Sequence, residues 1–206
     1  MYNVTRLIHL ADGSDPAWLE NFAGDLHLAL AGAQRRTVAP TLPGSRNGGD
    51  ILLHAEFPDA AAGEAAESDV DRMLATAAVR HIDGVDYKAG PALTSKPTGT
   101  VYRTLLLAVD PATPTHLVEK FEADLLLMPR YVHTITACRL SRPERTLGAS
   151  RWTHVFEQEF TDEQGLMGPY LMHPIHWGVV DRWFDPECPE YIIRERVCHS
   201  FCVIAS

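Results

Sequence analysis

The chain has 206 residues, of which 46% are hydrophobic and 22% are charged, and its formal net charge is −9. This composition is typical of a globular protein with one large domain or two domains of about 100 residues each. The negative charge argues against a nucleic-acid partner, which requires clustered Lys and Arg, and the absence of a run of about 18 apolar residues argues against a transmembrane helix.

The N-terminal segment reads as the first strand of the fold. Its short apolar stretch, residues 4–11, contains Arg6 and is followed by Asp12. It lacks the basic start, long apolar core and small-residue cleavage site of a signal peptide. We therefore expect a cytoplasmic protein that binds neither nucleic acid nor membrane.

The rest of the first half alternates strand and helix patterns. Apolar residues at helical spacing predict a helix over 18–31, and two strand-like runs lie on either side of a turn-rich PGSRNGG segment. The further predicted elements are strands at 35–42 and 50–57, a helix at 66–82 and a strand at 85–88.

The second half repeats this pattern. Its predicted elements are a strand at 101–109, a helix at 117–131, strands at 133–140 and 151–160, a helix at 162–184 and a strand at 196–204. Both first helices carry Glu-x-Phe, and the two first strands carry Arg6 and Arg103 at the same position. An internal repeat of this length indicates a duplicated structural unit.

The order β-α-β-β-α-β, found twice, is that of the ferredoxin-like unit. We therefore predict an α+β fold with a module at 1–90, a linker at 91–99 and a second module at 100–206. Each sheet would have helices on one face only, so the two bare faces should cover each other and form a pseudo-dimeric α/β barrel. We expect a small-molecule site in the space enclosed between them.

The densest group of potentially reactive side chains lies in the predicted second helix of the C-terminal module. Tyr170, His173 and His176 recur every three residues and so share one side of a helical turn. A His can exchange a proton near neutral pH, and a Tyr can donate one to a carbonyl oxygen. Each could instead be structural, and the two His could form half of a metal site, although no spacing specifies a third ligand.

The motif Tyr-x-x-His-Pro-x-His, from Tyr170 to His176, follows a strand that opens with Thr-His-Val at 153–155. In these features the C-terminal half resembles the stress-responsive dimeric α/β-barrel family. A cyclase of that family uses a Tyr and the last His of the motif as its acid and base, which implies catalytic roles for Tyr170 and His176. The resemblance departs at Arg103, where that cyclase has a His.

Other residues are expected to bind the substrate. Arg103 and Arg6 would point into the enclosed space and hold a carboxylate or phenolate, although Glu157 or Glu159 could pair with them instead. His173 is a further candidate, and strand alternation predicts that Trp152 and His154 face the same cavity.

These residues predict a cofactor-independent acid/base enzyme of the lyase or isomerase/cyclase type. Its substrate would be a small aromatic or polyketide-like compound with a carboxylate or phenol. No glycine-rich phosphate loop or cofactor motif is present in the sequence, so neither a cofactor nor a metal is expected. The alternative is a non-catalytic, stress-responsive ligand-binding protein. Association of the fused chain into a homodimer is a further expectation.

Overall fold

The computed structural model describes residues 1–12, 15–94 and 99–204. Residues 95–98 of the expected linker and residues 205–206 of the second expected module lie outside the described residues. The elements of the first half are β1 (Tyr2–Leu10), α1 (Pro16–Ala29), β2 (Arg35–Pro40), β3 (Ile51–Phe57), α2 (Ala60–Leu74), β4 (Val79–Lys88) and β5 (Ala92–Thr94). The elements of the second half up to its third strand are β6 (Val101–Leu107), α3 (Thr115–Tyr131), β7 (Ile135–Ser141), β8 (Arg145–Leu147) and β9 (His154–Phe160).

After β9 the chain forms a series of short helical turns before its last strand. These are α4 (Glu163–Gly165), two π-helical turns (Leu166–Tyr170 and His176–Val180), a 3₁₀ turn (Asp181–Trp183) and then β10 (Cys198–Val203). No helix among the described residues is long and apolar enough to cross a bilayer.

The two sheets share one topology. The first has the order β2-β3-β1-β4 and the second β7-β9-β6-β10, and every pairing is antiparallel. In each, the first strand of the module lies beside the third and the last, as the ferredoxin-like succession requires. The predicted α+β fold of two fused ferredoxin-like modules is therefore confirmed.

Each sheet gains a short edge strand from outside this pattern. β8, which belongs to the second half of the sequence, pairs with β4 of the first sheet, from Gly84↔Leu147 to Asp86↔Arg145. β5 lies in the segment expected to be a linker and pairs with β7 of the second sheet. The sequence did not indicate either strand, because three-residue strands carry too little alternation to be recognised.

Apolar side chains form three layers. The outer face of the first sheet packs against α1 and α2, and the outer face of the second packs against α3 and the turns after β9. The inner faces pack directly on each other through a third cluster that includes Leu7 and Leu52 from the first sheet and Leu106 and Val155 from the second. The expected face-to-face contact of the sheets is thus present, but it leaves little open space.

A polar group closes the remaining part of this inter-sheet layer. His54 stacks on Tyr102 with ring centroids 4.7 Å apart, and the Tyr102 hydroxyl donates to Glu157 at 2.8 Å. Glu159 forms an ion pair with Arg35 across the sheets. A small pocket of about 110 Å³ lies beside these groups. The larger cavity described below lies on an outer face and not between the sheets.

The predicted helix at 66–82 is displaced. α2 begins earlier, at Ala60, because the Asp59 carboxylate accepts a hydrogen bond from the Ala62 N–H at 2.9 Å and caps the helix. It ends at Leu74, and residues 79–82 belong to β4. The alanine-rich sequence favours helix locally, but pairing with the free edge of β1 decides the conformation.

The predicted continuous helix at 162–184 is replaced by the short turns after β9. Pro169 lies inside the first π-helical turn and cannot donate a backbone hydrogen bond, and Pro174 separates the two turns. π-helical turns of this kind are frequent at functional sites.

Replacing a side chain on the inner face of a sheet with Ala should remove most of the stabilising free energy that its burial contributes. Leu106→Ala is expected to lower the free energy of unfolding by about 2–5 kcal/mol, because Leu106 is fully buried between the sheets and its neighbours belong to both of them. Urea unfolding followed by circular dichroism measures the change. The control is Leu28→Ala on α1, where the side chain is 68% exposed and a change of no more than about 0.5 kcal/mol is expected. Equal effects of the two substitutions would contradict the proposed packing.

Candidate functional site

A cavity of about 570 Å³ lies on the outer face of the second sheet, beneath the turns that follow β9. Its apolar lining consists of Leu105, Leu125, Phe156, Val180, Phe184, Tyr191, Ile193 and Val197. Its polar lining consists of Arg46, Asn47, Arg103, Tyr170, His176, Asp181, Arg194, Glu195, Arg196 and His199. The cavity is thus between a sheet and its helical layer, and not between the two sheets.

Arg103 reaches this cavity from β6. It is 4% exposed, its Nε donates to Nε2 of His199 at 2.7 Å, and one terminal nitrogen donates to Oε1 of Gln158. Both of these acceptors are neutral. Burial lowers the pKa of Arg103, and the charge of Asp181, which lines the same cavity, opposes this, so the guanidinium stays charged at neutral pH. A buried positive charge therefore stands at the cavity with hydrogen bonds to neutral side chains.

Arg6 occupies the equivalent position of the first module and has a different environment. It also faces the outer side of its sheet, where it lies 2.5 Å from Asp86, 3.4 Å from Glu67 and 3.7 Å from Asp71. Its side chain is completely buried in this network. Arg6 is therefore not among the residues that line the cavity, and its three carboxylate partners, which Arg145 also contacts, neutralise its charge.

Tyr170 lies against Arg103 in the wall of the cavity. The Arg103 Cζ is 4.9 Å from the centroid of the Tyr170 ring, a cation–π distance. Burial raises the pKa of Tyr170, and the charge of Arg103 only partly opposes this. The phenol is therefore neutral at pH 7 and able to donate a proton.

His176 lies beside Tyr170, with ring centroids 4.7 Å apart in an edge-to-face arrangement. Its Nδ1 is 3.3 Å from Oδ2 of Asp181, the residue that directly follows the π-helical turn. Since such a turn bonds residues i and i+5, it places His176 and Asp181 on the same side. The carboxylate can orient the imidazole and leave Nε2 for a ligand. The neighbouring Arg182 does not compete for this carboxylate, since it pairs with Glu190.

His199 completes the polar wall. It extends from β10 on the face opposite to the buried Cys198 and Cys202. Burial, together with the nearby charges of Arg103 and His176, lowers the pKa of His199 to about 2. A neutral imidazole that accepts from Arg103 fixes the guanidinium without neutralising it.

The first module contributes to the same cavity through the loop between β2 and β3. The backbone of Arg46 pairs with His199, each N–H donating to the other's carbonyl at 2.8 Å. The Asn47 side chain donates to the carbonyl of Val197 at 3.0 Å. Gly48 allows this approach, because a Cβ there would lie 2.5 Å from the His199 carbonyl oxygen. One wall of the cavity is therefore supplied by the other half of the chain.

Four lining residues of the cavity are arginines, and Asp181 and Glu195 are its acidic lining residues. Two of the arginines have carboxylate partners outside the lining, since Arg194 pairs with Asp110 and Arg196 with Asp83. The other two arginines equal the acidic lining residues in number, so the lining has no net excess of positive charge. The case for an anionic ligand therefore rests on the buried guanidinium of Arg103.

Three other predicted site residues do not line the cavity. His173 accepts a hydrogen bond from the Ile175 N–H through its Nδ1 at 3.2 Å, which is a local turn contact. His154 is buried between Thr153 and Glu122, at 2.8 and 2.9 Å. Trp152 lies in the inter-sheet core, because β9 begins only at His154 and the strand alternation does not extend back to it. The structure therefore does not bring these three residues together with Arg103, Tyr170 and His176 at the cavity.

The His pair of the HPIH sequence is not brought together with a third metal ligand. Among the described residues, the group that could hold a metal ion consists of His9, His81 and Asp83, in the first module. The metal alternative for His173 and His176 therefore has no support from the geometry.

Neither Asp181 nor His199 could be assigned to the site from spacing alone. Asp181 depends on the π-helical turn, which five residues of sequence do not predict. His199 depends on the register of β10 with β6, where His199 is opposite Leu105 and Phe201 is opposite Arg103. The alternation of β10 is the one sequence signal for His199, because it places His199 on the strand face opposite to Cys198 and Cys202.

Two fused ferredoxin-like modules, with a cavity between one sheet and its helical layer, define a tandem α/β-barrel protein. The sequence profile of the family described as Stress responsive A/B Barrel Domain matches residues 101–198. The C-terminal half of the chain therefore belongs to the stress-responsive A/B barrel domain family. No curated protein sequence matches the chain.

Solved structures share the fold over the whole chain. An anthrone oxidase-like protein has a TM-score of 0.69 at 10% identity, with 100% of this chain and 91% of that chain covered. A putative monooxygenase from Fusobacterium nucleatum has a TM-score of 0.63 at 9% identity, with 99% and 92% covered. Chlorite dismutase from Candidatus Nitrospira defluvii has a TM-score of 0.57 at 7% identity, with 100% and 91% covered. At these identities the likeness shows the fold alone.

The lowered pKa of His199 predicts a pH-dependent stability. An unfolded His titrates near 6.5, whereas the pKa of folded His199 is about 2, so between these values the unfolded chain binds one more proton. The contribution of His199 to the free energy of unfolding should therefore fall below pH 6.5, by up to about 1.4 kcal/mol per pH unit. Urea unfolding of the protein and of His199→Gln at several pH values measures it. His116→Gln, which changes an exposed His, is the control, and equal slopes in all three proteins would contradict the prediction.

Proposed function

We propose that the chain is a cofactor-independent acid/base enzyme of the lyase or isomerase/cyclase type, whose substrate is a small aromatic or polyketide-like compound with a carboxylate or phenol. The observation that carries this proposal is the convergence of Arg103, Tyr170 and His176 on one cavity. They offer a fixed positive charge, a neutral phenol and an imidazole. These are the groups needed to hold an anion, stabilise an enolate oxygen and move a proton.

Arg103 supplies the binding charge. Taking a guanidinium out of water is costly unless an anion compensates it, and here its protein partners are neutral. A substrate carboxylate or phenolate would provide the missing negative charge in a bidentate contact. The comparison with Arg6 supports this interpretation, because three carboxylates lie around the arginine at the equivalent position of the first module.

His176 acts as the base in the proposed reaction. With Nδ1 oriented by Asp181, its Nε2 takes a proton from the carbon next to a substrate carbonyl. The electron pair of the broken C–H bond moves onto the carbonyl oxygen as an enolate. The proton then returns from His176 to the product, so the step needs no external oxidant or reductant.

Tyr170 acts on the oxygen at which this charge develops. Its raised pKa keeps the hydroxyl protonated at neutral pH, so it can donate a hydrogen bond to the enolate or protonate it. The charge of Arg103 and its hydrogen bond with Tyr170 oppose part of that rise in pKa and so ease the transfer of the proton. A neutral donor in a water-poor site stabilises an oxyanion more strongly than the same group does in water.

The apolar walls suit an aromatic ring. Leu105 and Phe156 extend from the sheet and Phe184 from the turns opposite, so a flat ring could be held between two hydrophobic surfaces. A volume of about 570 Å³ accommodates a compound of one or two rings with a short side chain.

The alternative is a non-catalytic ligand-binding protein with the same cavity.

Two structural neighbours are named for oxidation, the anthrone oxidase-like protein and the putative monooxygenase. An enolate or phenolate formed by His176 could also react with oxygen. The fold does not choose among these chemistries.

An isotope-exchange assay separates the alternatives. The full chain is incubated in D₂O with 4-acetylbenzoate, an aromatic carboxylate with an enolisable ketone, and with 2,4-dihydroxyacetophenone, a phenolic ketone. Proton NMR measures loss of the methyl signal, and an oxygen electrode runs in parallel. Saturable exchange above the buffer rate, inhibited by benzoate and without oxygen uptake, is the expected result. Binding without exchange would favour the ligand-binding alternative, and neither binding nor exchange with any of these compounds would contradict the proposal.

His176→Ala should reduce the turnover number about 10²–10⁴-fold, because a positioned base contributes roughly that factor. Tyr170→Phe keeps the ring and its contact with Arg103, so it should cost less. The exchange rate at saturating substrate measures both. His173→Ala is the matched control, since this neighbouring His does not line the cavity, and its effect should be on thermal stability. Equal losses of turnover for His173→Ala and His176→Ala would remove the assignment of the base.

Arg103→Lys should raise the Michaelis constant for the carboxylate substrate at least about tenfold, because the charge remains but the bidentate fork is lost. Arg6→Lys provides a control at the equivalent position of the first module and should leave the Michaelis constant unchanged. Circular dichroism verifies that both variants are folded at the assay temperature. An unchanged Michaelis constant for folded Arg103→Lys would show that Arg103 does not hold the substrate anion.

A further inference from the structure

Three side chains outside the cavity meet on the first sheet. His9 of β1 and His81 of β4 stand directly opposite each other, and their ring centroids are 5.3 Å apart. Asp83 is two residues farther along β4 and so lies on the same face. The pairing of β1 with β4 changes register immediately after His9. Such irregularities re-aim side chains and are common next to functional sites.

The spacing of the three polar atoms fits a metal ion. In a tetrahedral site with bonds of about 2.1 Å to nitrogen and oxygen, two ligand atoms are about 3.4 Å apart. Here Oδ2 of Asp83 is 3.1 Å from Nε2 of His81 and 3.6 Å from Nε2 of His9. All three ligand atoms lie within 4.8 Å of one another. Shifts of a fraction of an ångström in these side chains would bring the three ligand atoms to bonding distance from one ion.

The two ring nitrogens also need a partner. Nε2 of His9 and Nε2 of His81 are both shielded from solvent. Each lies within ion-pair distance of Oδ2 of Asp83, but neither forms a hydrogen bond of good geometry with it or with another described residue. Buried polar atoms without a partner are rare in folded proteins, because each one loses its hydrogen bonds to water and gains nothing in return. A single cation between the two rings would accept both lone pairs.

The carboxylate is held in the orientation that a metal ligand requires. Oδ1 of Asp83 accepts a hydrogen bond from the Ala149 N–H at 2.9 Å, which leaves Oδ2 toward the two imidazoles. This contact depends on Gly148, which has φ +98°, and a Cβ there would lie 2.2 Å from Oδ1. Backbone contacts that fix a ligand in this way commonly support metal sites.

Arg196 competes for the same oxygen. Its terminal nitrogen donates to Oδ2 of Asp83 at 3.2 Å, and the Cys198 thiol donates to it at 3.5 Å. The Arg196 side chain is 35% exposed and can turn away into solvent or toward the cavity, which it also lines. His81 is 35% exposed as well, so an ion has a route to the site.

From these observations we propose that His9, His81 and Asp83 bind one divalent first-row transition-metal ion, with Zn²⁺ as the probe. Two imidazoles and one carboxylate are ligands that Zn²⁺ accepts readily, and three protein ligands leave a fourth position for water. Binding displaces Arg196 from Asp83. The site is separate from Tyr170 and His176, and its existence does not depend on the proposed function.

The test uses the full chain after dialysis against a chelator and then against chelator-free buffer. Isothermal titration with Zn²⁺ should show one ion per chain, and Co²⁺ in its place should give the visible absorption of a tetrahedral site. His81→Gln should weaken binding at least about tenfold and abolish that absorption. Asp83→Asn should do the same, and circular dichroism verifies that both variants are folded. Because it removes a competing cation, Arg196→Gln should strengthen binding.

His116→Gln is the control, because it removes an exposed His of the second module and should change nothing. The proposal is overturned if no binding is detected at about 1 mM Zn²⁺. It is equally overturned if folded His81→Gln binds with the same stoichiometry and affinity as His116→Gln. A tighter site in Arg196→Gln that is lost in the double variant with His81→Gln would confirm the competition.

Discussion

Face-to-face packing of the two sheets is the constraint on which the rest of the structure depends. Each sheet has helices on only one face, and the other face would be exposed to water without a second copy. Leu7 and Leu52 of one sheet meet Leu106 and Val155 of the other, so this space is filled by side chains. A ligand cavity of useful size can then form only on an outer face, where the helical layer does not close fully on its sheet. The second module provides such a layer because prolines interrupt its last helical segment.

The different surroundings of the equivalent residues Arg6 and Arg103 show how the two modules have diverged. In the first module a continuous helix, α2, brings Glu67 and Asp71 onto Arg6, and the three side chains complete a buried ionic network with Asp86. In the second module the broken helix brings Tyr170 and His176 into that place, and Arg103 retains its charge. In a homodimer of identical chains every substitution would occur twice. The fusion of two copies in one chain removes that restriction, so one copy can serve as scaffold while the other holds the reactive groups.

Most of the fold could be predicted because the repeat of strand and helix patterns is long and each pattern is regular. The limits of α2 could not, since the predicted helix continues through residues 79–82, which pair with β1 as strand. Tyr170 and His176 could be identified as candidate site residues because they lie close together in the sequence. Arg103 was identified as a cavity residue, but on the wrong face of its sheet, because alternation gives two faces without saying which one is covered by helix. Asp181, His199 and the loop at Arg46 depend on tertiary contacts that no short sequence pattern records.

The exchange of edge strands between the two halves has a consequence for synthesis on the ribosome. The first sheet takes its outer strand from Arg145–Leu147, more than fifty residues after the end of β4. The first module can therefore form its own four strands early, but its β4 edge stays unpaired until nearly half of the second module has been synthesised. At an elongation rate of about 5–20 residues per second this delay lasts several seconds. During that interval an open strand edge is available to other chains, so the nascent protein is most vulnerable to misassembly halfway through its own translation.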